Sequence, residues 1–95
     1  MTSCVVDIVN RLGVHARAAA KFVHLASRFD SRIRVARDGR EMDGKSILGI
    51  LLLAAARGST ITILADGPDE QAALAALVAL VQSGFDEGPC VDSPE

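Results

Sequence analysis

Apolar and polar positions along the chain change period several times, and the changes mark out its elements. Over Cys4–Val9 the two kinds alternate, with Val6 and Ile8 on one face and Asp7 on the other, which predicts a first strand. Asn10–Val14 reads as a turn containing Gly13. From Ala16 to about Phe29 the period lengthens: Ala19, Phe22, Val23, Ala26 and Phe29 fall on one side of a helix. Arg17, Lys21, His24 and Arg28 recur along the opposite side. Arg32–Arg37 alternates Ile33 and Val35 with arginines, the mark of a half-buried strand. Asp38-Gly39 is a hairpin turn signal leading to a short strand at Arg40–Met42. After a turn at Asp43-Gly44-Lys45, Ser46 is a good N-cap for a short helix to about Ala54, before Gly58. Thr60–Ala65 puts Ile61, Ile63 and Ala65 on one face, a fourth strand. Asp66-Gly67-Pro68 breaks the chain, and Asp69-Glu70 open a last helix where its dipole favours them, running through Leu74, Leu77, Val78 and Val81 to Gly84.

The order is β-α-β-β-α-β-α, with no internal repeat and no linker. A hairpin among the strands, and helices with a single apolar stripe, predict an α+β layer with helices on one face of a mostly antiparallel sheet. Alternation within the strands agrees, because a parallel sheet covered on both faces shows near-continuous apolar runs. Residues 1–85 make one domain with one modest core. Residues 86–95 hold Asp86, Glu87, Asp92, Glu95, Gly88, Pro89 and Pro94 and read as an acidic, disordered tail.

Composition narrows the function. Trp and Tyr are absent, and Phe22, Phe29 and Phe85 are the only aromatics, too few for a platform that stacks bases or sugars. A formal net charge of -2 is wrong for a general nucleic-acid binder, so no nucleic-acid partner is expected and any basic role is local. Cys4 and Cys90 lie near opposite ends without metal-ligand spacing; free thiols are expected, with a terminus-linking disulfide as the alternative. No metal and no cofactor are implied. Met1-Thr2-Ser3 leads straight into a strand rather than a signal peptide, and the longest apolar stretches are too short to span a bilayer, so a cytoplasmic protein without membrane insertion is expected.

The chemistry gathers where the first helix begins. With the start placed at His15, the N–H groups of Ala16, Arg17 and Ala18 lack intrahelical acceptors and, with the positive dipole end, suit an anion such as phosphate. Arg17 adds a fork of donors matched to phosphate oxygens. Both features favour a neutral, nucleophilic imidazole at His15. By itself this is a weak signal, since a histidine near a helix start is more often a cap or a surface residue. His24 reads as an exposed member of the basic stripe, which is either a solvated face or a docking surface for acidic partners.

Gly13-Val14-His15-Ala16-Arg17-Ala18-Ala19 resembles the active-site motif Gly-Leu-His-Ala-Arg-Pro-Ala of the phosphocarrier protein HPr family, which serves the bacterial phosphoenolpyruvate-dependent phosphotransferase system. Asn10, Lys21-Phe22-Val23 and Leu25-Ala26 extend the match in register. Lys45-Ser46-Ile47-Leu48-Gly49 resembles the family's second landmark, and Gly67-Pro68-Asp69-Glu70 is a weaker third. The resemblance spans residues 3 to about 85 and implies an open-faced β-sandwich, four antiparallel strands covered on one face by three helices. It implies that His15 takes a phosphoryl group on Nδ1 from phospho-enzyme I, with Arg17 steadying it, and passes it to an enzyme II A component or a related acceptor. The chain would then be a carrier acting with partner enzymes rather than an enzyme itself, and a monomer is expected. Ser46 would be the regulatory serine of an ATP-dependent HPr kinase/phosphorylase, and Lys21, His24, Ile47, Leu48 and Leu51 would help dock partners. Ala18 departs from the family's proline; it restores a backbone N–H and is compatible with a divergent, nitrogen-related regulatory branch.

Two other readings compete. An HPr-like domain can act as a regulatory interaction module with little phosphotransfer. Gly39-Arg40-Glu41-Met42-Asp43-Gly44-Lys45-Ser46 also fits the P-loop pattern of nucleotide binders. Against the P-loop stand Glu41 and Asp43, carboxylates in a loop meant for phosphates, and a chain short for a doubly wound parallel sheet.

Overall fold

The computed structural model describes residues 1–9, 13–53 and 58–85. The expectations for Asn10, for the helix end at Ala54, for Cys90 and for the tail at 86–95 lie outside the described residues. The elements are β1 (Thr2–Asp7), α1 (Ala16–Ala26), β2 (Arg32–Arg37), β3 (Arg40–Asp43), α2 (Ile47–Leu53), β4 (Thr60–Asp66) and α3 (Glu70–Gln82).

The strands form one four-stranded sheet in the order β1-β4-β2-β3, every pair antiparallel. Alternation fixes which residues face the helices, because a slip of one residue turns every apolar side chain outward. Val6 pairs with Ile61 and Val35 with Ile63, and all four are buried. The opposite face is left open, with Ser3, Arg32, Arg34 and Glu41 exposed and an Arg34–Glu41 ion pair across the hairpin. That hairpin turns on Asp38 and Gly39 at φ 52° and 79°, the two left-handed positions of a type I′ turn, whose twist matches the strands it joins.

All three helices cover the same face. Phe22, Val23 and Ala26 of α1, Ile50 and Leu53 of α2, and Leu74, Leu77 and Val81 of α3 bury against the sheet. Burial of each such aliphatic or aromatic side chain is worth about 1.5–3 kcal/mol. The architecture is therefore the open-faced α+β sandwich that the pattern of the strands and helices predicts.

The first helix stops short of Phe29. Arg28 and Phe29 donate to Leu25 O and Ala26 O at 3.1 and 3.2 Å, a tightened final turn, and Lys45 Nζ donates to Phe29 O at 2.7 Å. The same device recurs. Arg37 donates to Leu53 O at 2.6 Å at the last residue of α2, and Lys21 Nζ to Phe85 O at 2.8 Å beyond α3. Each helix thus has a cation on a carbonyl at its negative end, where the dipole favours it.

Candidate functional site

Gly13 is buried at φ 69°, a left-handed turn conformation that costs a side-chain-bearing residue energy, and it bends the chain into α1. His15 follows in extended conformation, φ −114° and ψ −177°, as the N-cap of α1. Its carbonyl accepts the Ala19 N–H at 2.8 Å, while its side chain makes no capping bond. The helix is therefore started by the backbone of His15. The imidazole is half-buried, and its Nε2 is enclosed.

Ala16, Arg17 and Ala18 are the first helical residues, as expected, and their N–H groups precede the first intrahelical bond. Ala16 and Arg17 are exposed, whereas the Ala18 side chain is fully buried in the core. No acidic residue lies in the first turn, so no carboxylate of α1 competes for the donors at its positive end.

The structure distributes the predicted docking residues unevenly. His24 is exposed together with Arg17 and Arg28, but Lys21 is half-buried and committed to Phe85 O. Ile47 and Leu48 are exposed, at 41% and 66%, while Leu51 is half-buried and packs on the core. Leu52, 50% exposed, completes the apolar surface instead. The unbroken apolar run Leu51-Leu52-Leu53 hides which residue faces out; a turn of helix places Leu52 beside Leu48.

Ser46 sits just before α2, and its Oγ accepts the Gly49 N–H at 3.1 Å, the N-cap geometry expected for it. The P-loop reading is overturned. Within Gly39–Ser46, residues Arg40–Asp43 are strand β3 paired to β2, and Lys45 Nζ is spent on the Phe29 carbonyl. An antiparallel hairpin offers no run of N–H groups to cradle a phosphate.

Asp69 is a residue whose part sequence reasoning missed. Expected as a helix-opening acid, it makes no capping bond to its own helix. Its carboxylate instead accepts from the N–H of Asp30 at 2.8 Å, the N–H of Ser31 at 2.9 Å and the Ser31 hydroxyl at 2.5 Å. The Ser31 hydroxyl foremost, then the Asp30 N–H, holds its carboxyl below the usual range. Glu70 is held low as well, first by the Gly67 N–H, which donates to its Oε1 at 3.1 Å. Among the described residues no group of three or more His, Cys, Asp or Glu is placed to hold a metal ion, and no described helix is long and apolar enough to cross a membrane.

A histidine-led helix on an open-faced sandwich, with an arginine in its first turn, defines the class as a small α+β domain with a candidate anion site at one helix end. A family model described as "PTS HPr component phosphorylation site" matches residues 2–83. The phosphocarrier protein HPr of Cupriavidus necator is 53% identical over 81 residues, 85% of this chain and 91% of that protein. The phosphocarrier protein NPr of Shewanella violacea is 48% identical over 82 residues, 86% and 90% of the two chains. A crystal structure of HPr-C-His from Thermoanaerobacter tengcongensis superposes with a TM-score of 0.88 at 42% identity, covering 92% of this chain and 98% of that one. The chain belongs to the HPr family of phosphocarrier proteins of the phosphotransferase system.

Proposed function

We propose that His15 carries a phosphoryl group from phospho-enzyme I to an enzyme II A component or a related acceptor. The observation that carries this reading is the placement of His15 as the N-cap of α1 with its side chain outside the capping bonds. Enclosure of Nε2 leaves Nδ1 as the nitrogen for attack on phosphorus. The Nδ1–P bond forms as the bond from phosphorus to the donor breaks, in line, and the reverse displacement delivers the group onward. Arg17 and the first N–H groups of α1 stabilise the charge on the transferred group. The remaining catalytic groups belong to the partner enzymes, so the chain acts as a carrier, as a monomer, in the cytoplasm. Likeness to both HPr and NPr proteins supports either a sugar-transport or a nitrogen-related acceptor.

Partner docking falls to the exposed Ile47, Leu48 and Leu52 with the basic face of α1. Ser46 is the candidate for an HPr kinase/phosphorylase. A phosphate there gains from the helix end but sets negative charge beside Ile47 and Leu48, repelling an acidic partner.

Incubation with phosphoenolpyruvate and enzyme I tests the carrier role. An acid-labile label on the wild type, absent from His15→Ala, is expected; an unlabelled wild type overturns it and favours the interaction module. For Ser46, kinase treatment should give an acid-stable phosphate that mass spectrometry finds missing in Ser46→Ala.

A further inference from the structure

Phe85, the last described residue, is tied by its carbonyl to Lys21 on the basic face of α1. Phe85 is 1% exposed and shares one apolar crevice with Val14 and Phe22, beside the turn that leads into His15. Its carbonyl is held by Lys21 Nζ at 2.8 Å. Lys21 lies one helical turn after Arg17 and shares that face with His24, Arg28 follows in the turn just beyond α1, and α1 contains no Asp or Glu. Arg17, His24 and Arg28 are exposed.

Residues 86–95 carry Asp86, Glu87, Asp92 and Glu95 and no Lys or Arg. They also lie beyond residues 2–83, the part of the chain that the family model matches. We propose that this acidic segment docks on the Arg17–His24–Arg28 face of α1 and competes there with acidic partners for access to the His15 end. Along the helix axis, Lys21 is only about 6 Å from Arg17 and about 4.5 Å from His24. Ten extended residues reach up to about 33 Å, which exceeds the distance from Lys21 to either end of the face. Anchored at Phe85, these carboxylates present themselves at the millimolar effective concentration of a short tether, which a partner in dilute solution must displace. The contacts are exposed and charge-led, so the segment is readily displaced and its hold weakens with salt.

The docking surface coincides with the proposed phosphotransfer site, and its regulatory meaning rests on that reading. Docking itself is measured without any partner, so the two fail separately. The test compares amide spectra of the full chain with those of a full-chain variant bearing Asp86→Asn, Glu87→Gln, Asp92→Asn and Glu95→Gln. All four positions lie beyond the family-matched residues 2–83, and a melting temperature equal to that of the wild type checks that the variant keeps the fold. The expected result is a set of shifts on the exposed amides between Ala16 and Arg28, which disappears when both proteins are measured in about 1 M salt. Shifts confined to residues next to the substitutions, shifts mapping to the open sheet face, or differences on α1 that survive high salt overturn the proposal. A salt-sensitive α1 response in a protein that enzyme I does not label sustains the docking and removes its connection to phosphotransfer. If the docking holds and the label is seen, initial transfer from phospho-enzyme I at low salt should be several-fold faster for the neutralised variant.

Discussion

His15 leaves the Gly13 turn in extended backbone and starts α1 with its carbonyl, while at α2 the Ser46 side chain does the capping. The imidazole thus takes no part in capping at one helix end, whereas the hydroxyl is the cap at the other. His15 and Arg17 could be singled out as candidates in the sequence because both lie within one local motif. Asp69 was not, since its partners Asp30 and Ser31 are 39 and 38 residues away and no periodicity links them. Lys21 was misleading for the same reason: its acceptor lies 64 residues on. The depressed Asp69 carboxyl has a testable consequence. A folded-state value below the ordinary 3.8 contributes stability above that pH, lost as pH falls through the folded value. The wild type should therefore be more stable to urea than Asp69→Asn near neutrality, and the gap should close in acid. A gap that is independent of pH would contradict the clamp.

Among the elements, α2 most clearly separates burial from docking. Its seven residues alternate between core and solvent, with Ile50 4% and Leu48 66% exposed. Ile50→Ala should destabilise the protein by about 2–5 kcal/mol, as in other cores. Leu48→Ala should leave the melting temperature nearly unchanged and raise the KM of the phosphotransfer reaction for this protein. If Leu48→Ala instead melts early with an unchanged KM, the apolar surface of α2 serves folding rather than partners. Strands and helices were readable here to within a few residues because their apolar periods are clean. The end of α1 was overrun because Phe29 keeps the apolar stripe going after Ser27, although the backbone has already tightened into its last turn. Leu51 and Leu52 could not be told apart, since both are apolar and only packing decides which faces out.

For the molecule as a whole, the helices are tied down by cations sent from other elements: Lys45 to the end of α1, Arg37 to α2, Lys21 to α3. None of these long-range bonds could be read from the chain, and neither could the order β1-β4-β2-β3, because alternation says which face is buried but not which strand is the neighbour. Lys45 shows the consequence best. Its place in a P-loop pattern pointed to phosphate, whereas the fold gives it a carbonyl. Lys45→Met should cost about 1.5–3 kcal/mol, the usual worth of a hydrogen bond to a charged group, and leave labelling of His15 intact. Denaturant unfolding together with a labelling assay checks both halves.

The central claim, that His15 is the phosphoryl carrier and Nδ1 the atom that bears it, is tested most directly by nitrogen-resolved spectra of the histidine rings after phosphorylation by phosphoenolpyruvate and enzyme I. A phosphorus coupling is expected on Nδ1 of His15, with Nε2 of the same ring and both nitrogens of His24 unmodified. Phosphorus on Nε2, on His24, or on no histidine at all would contradict it.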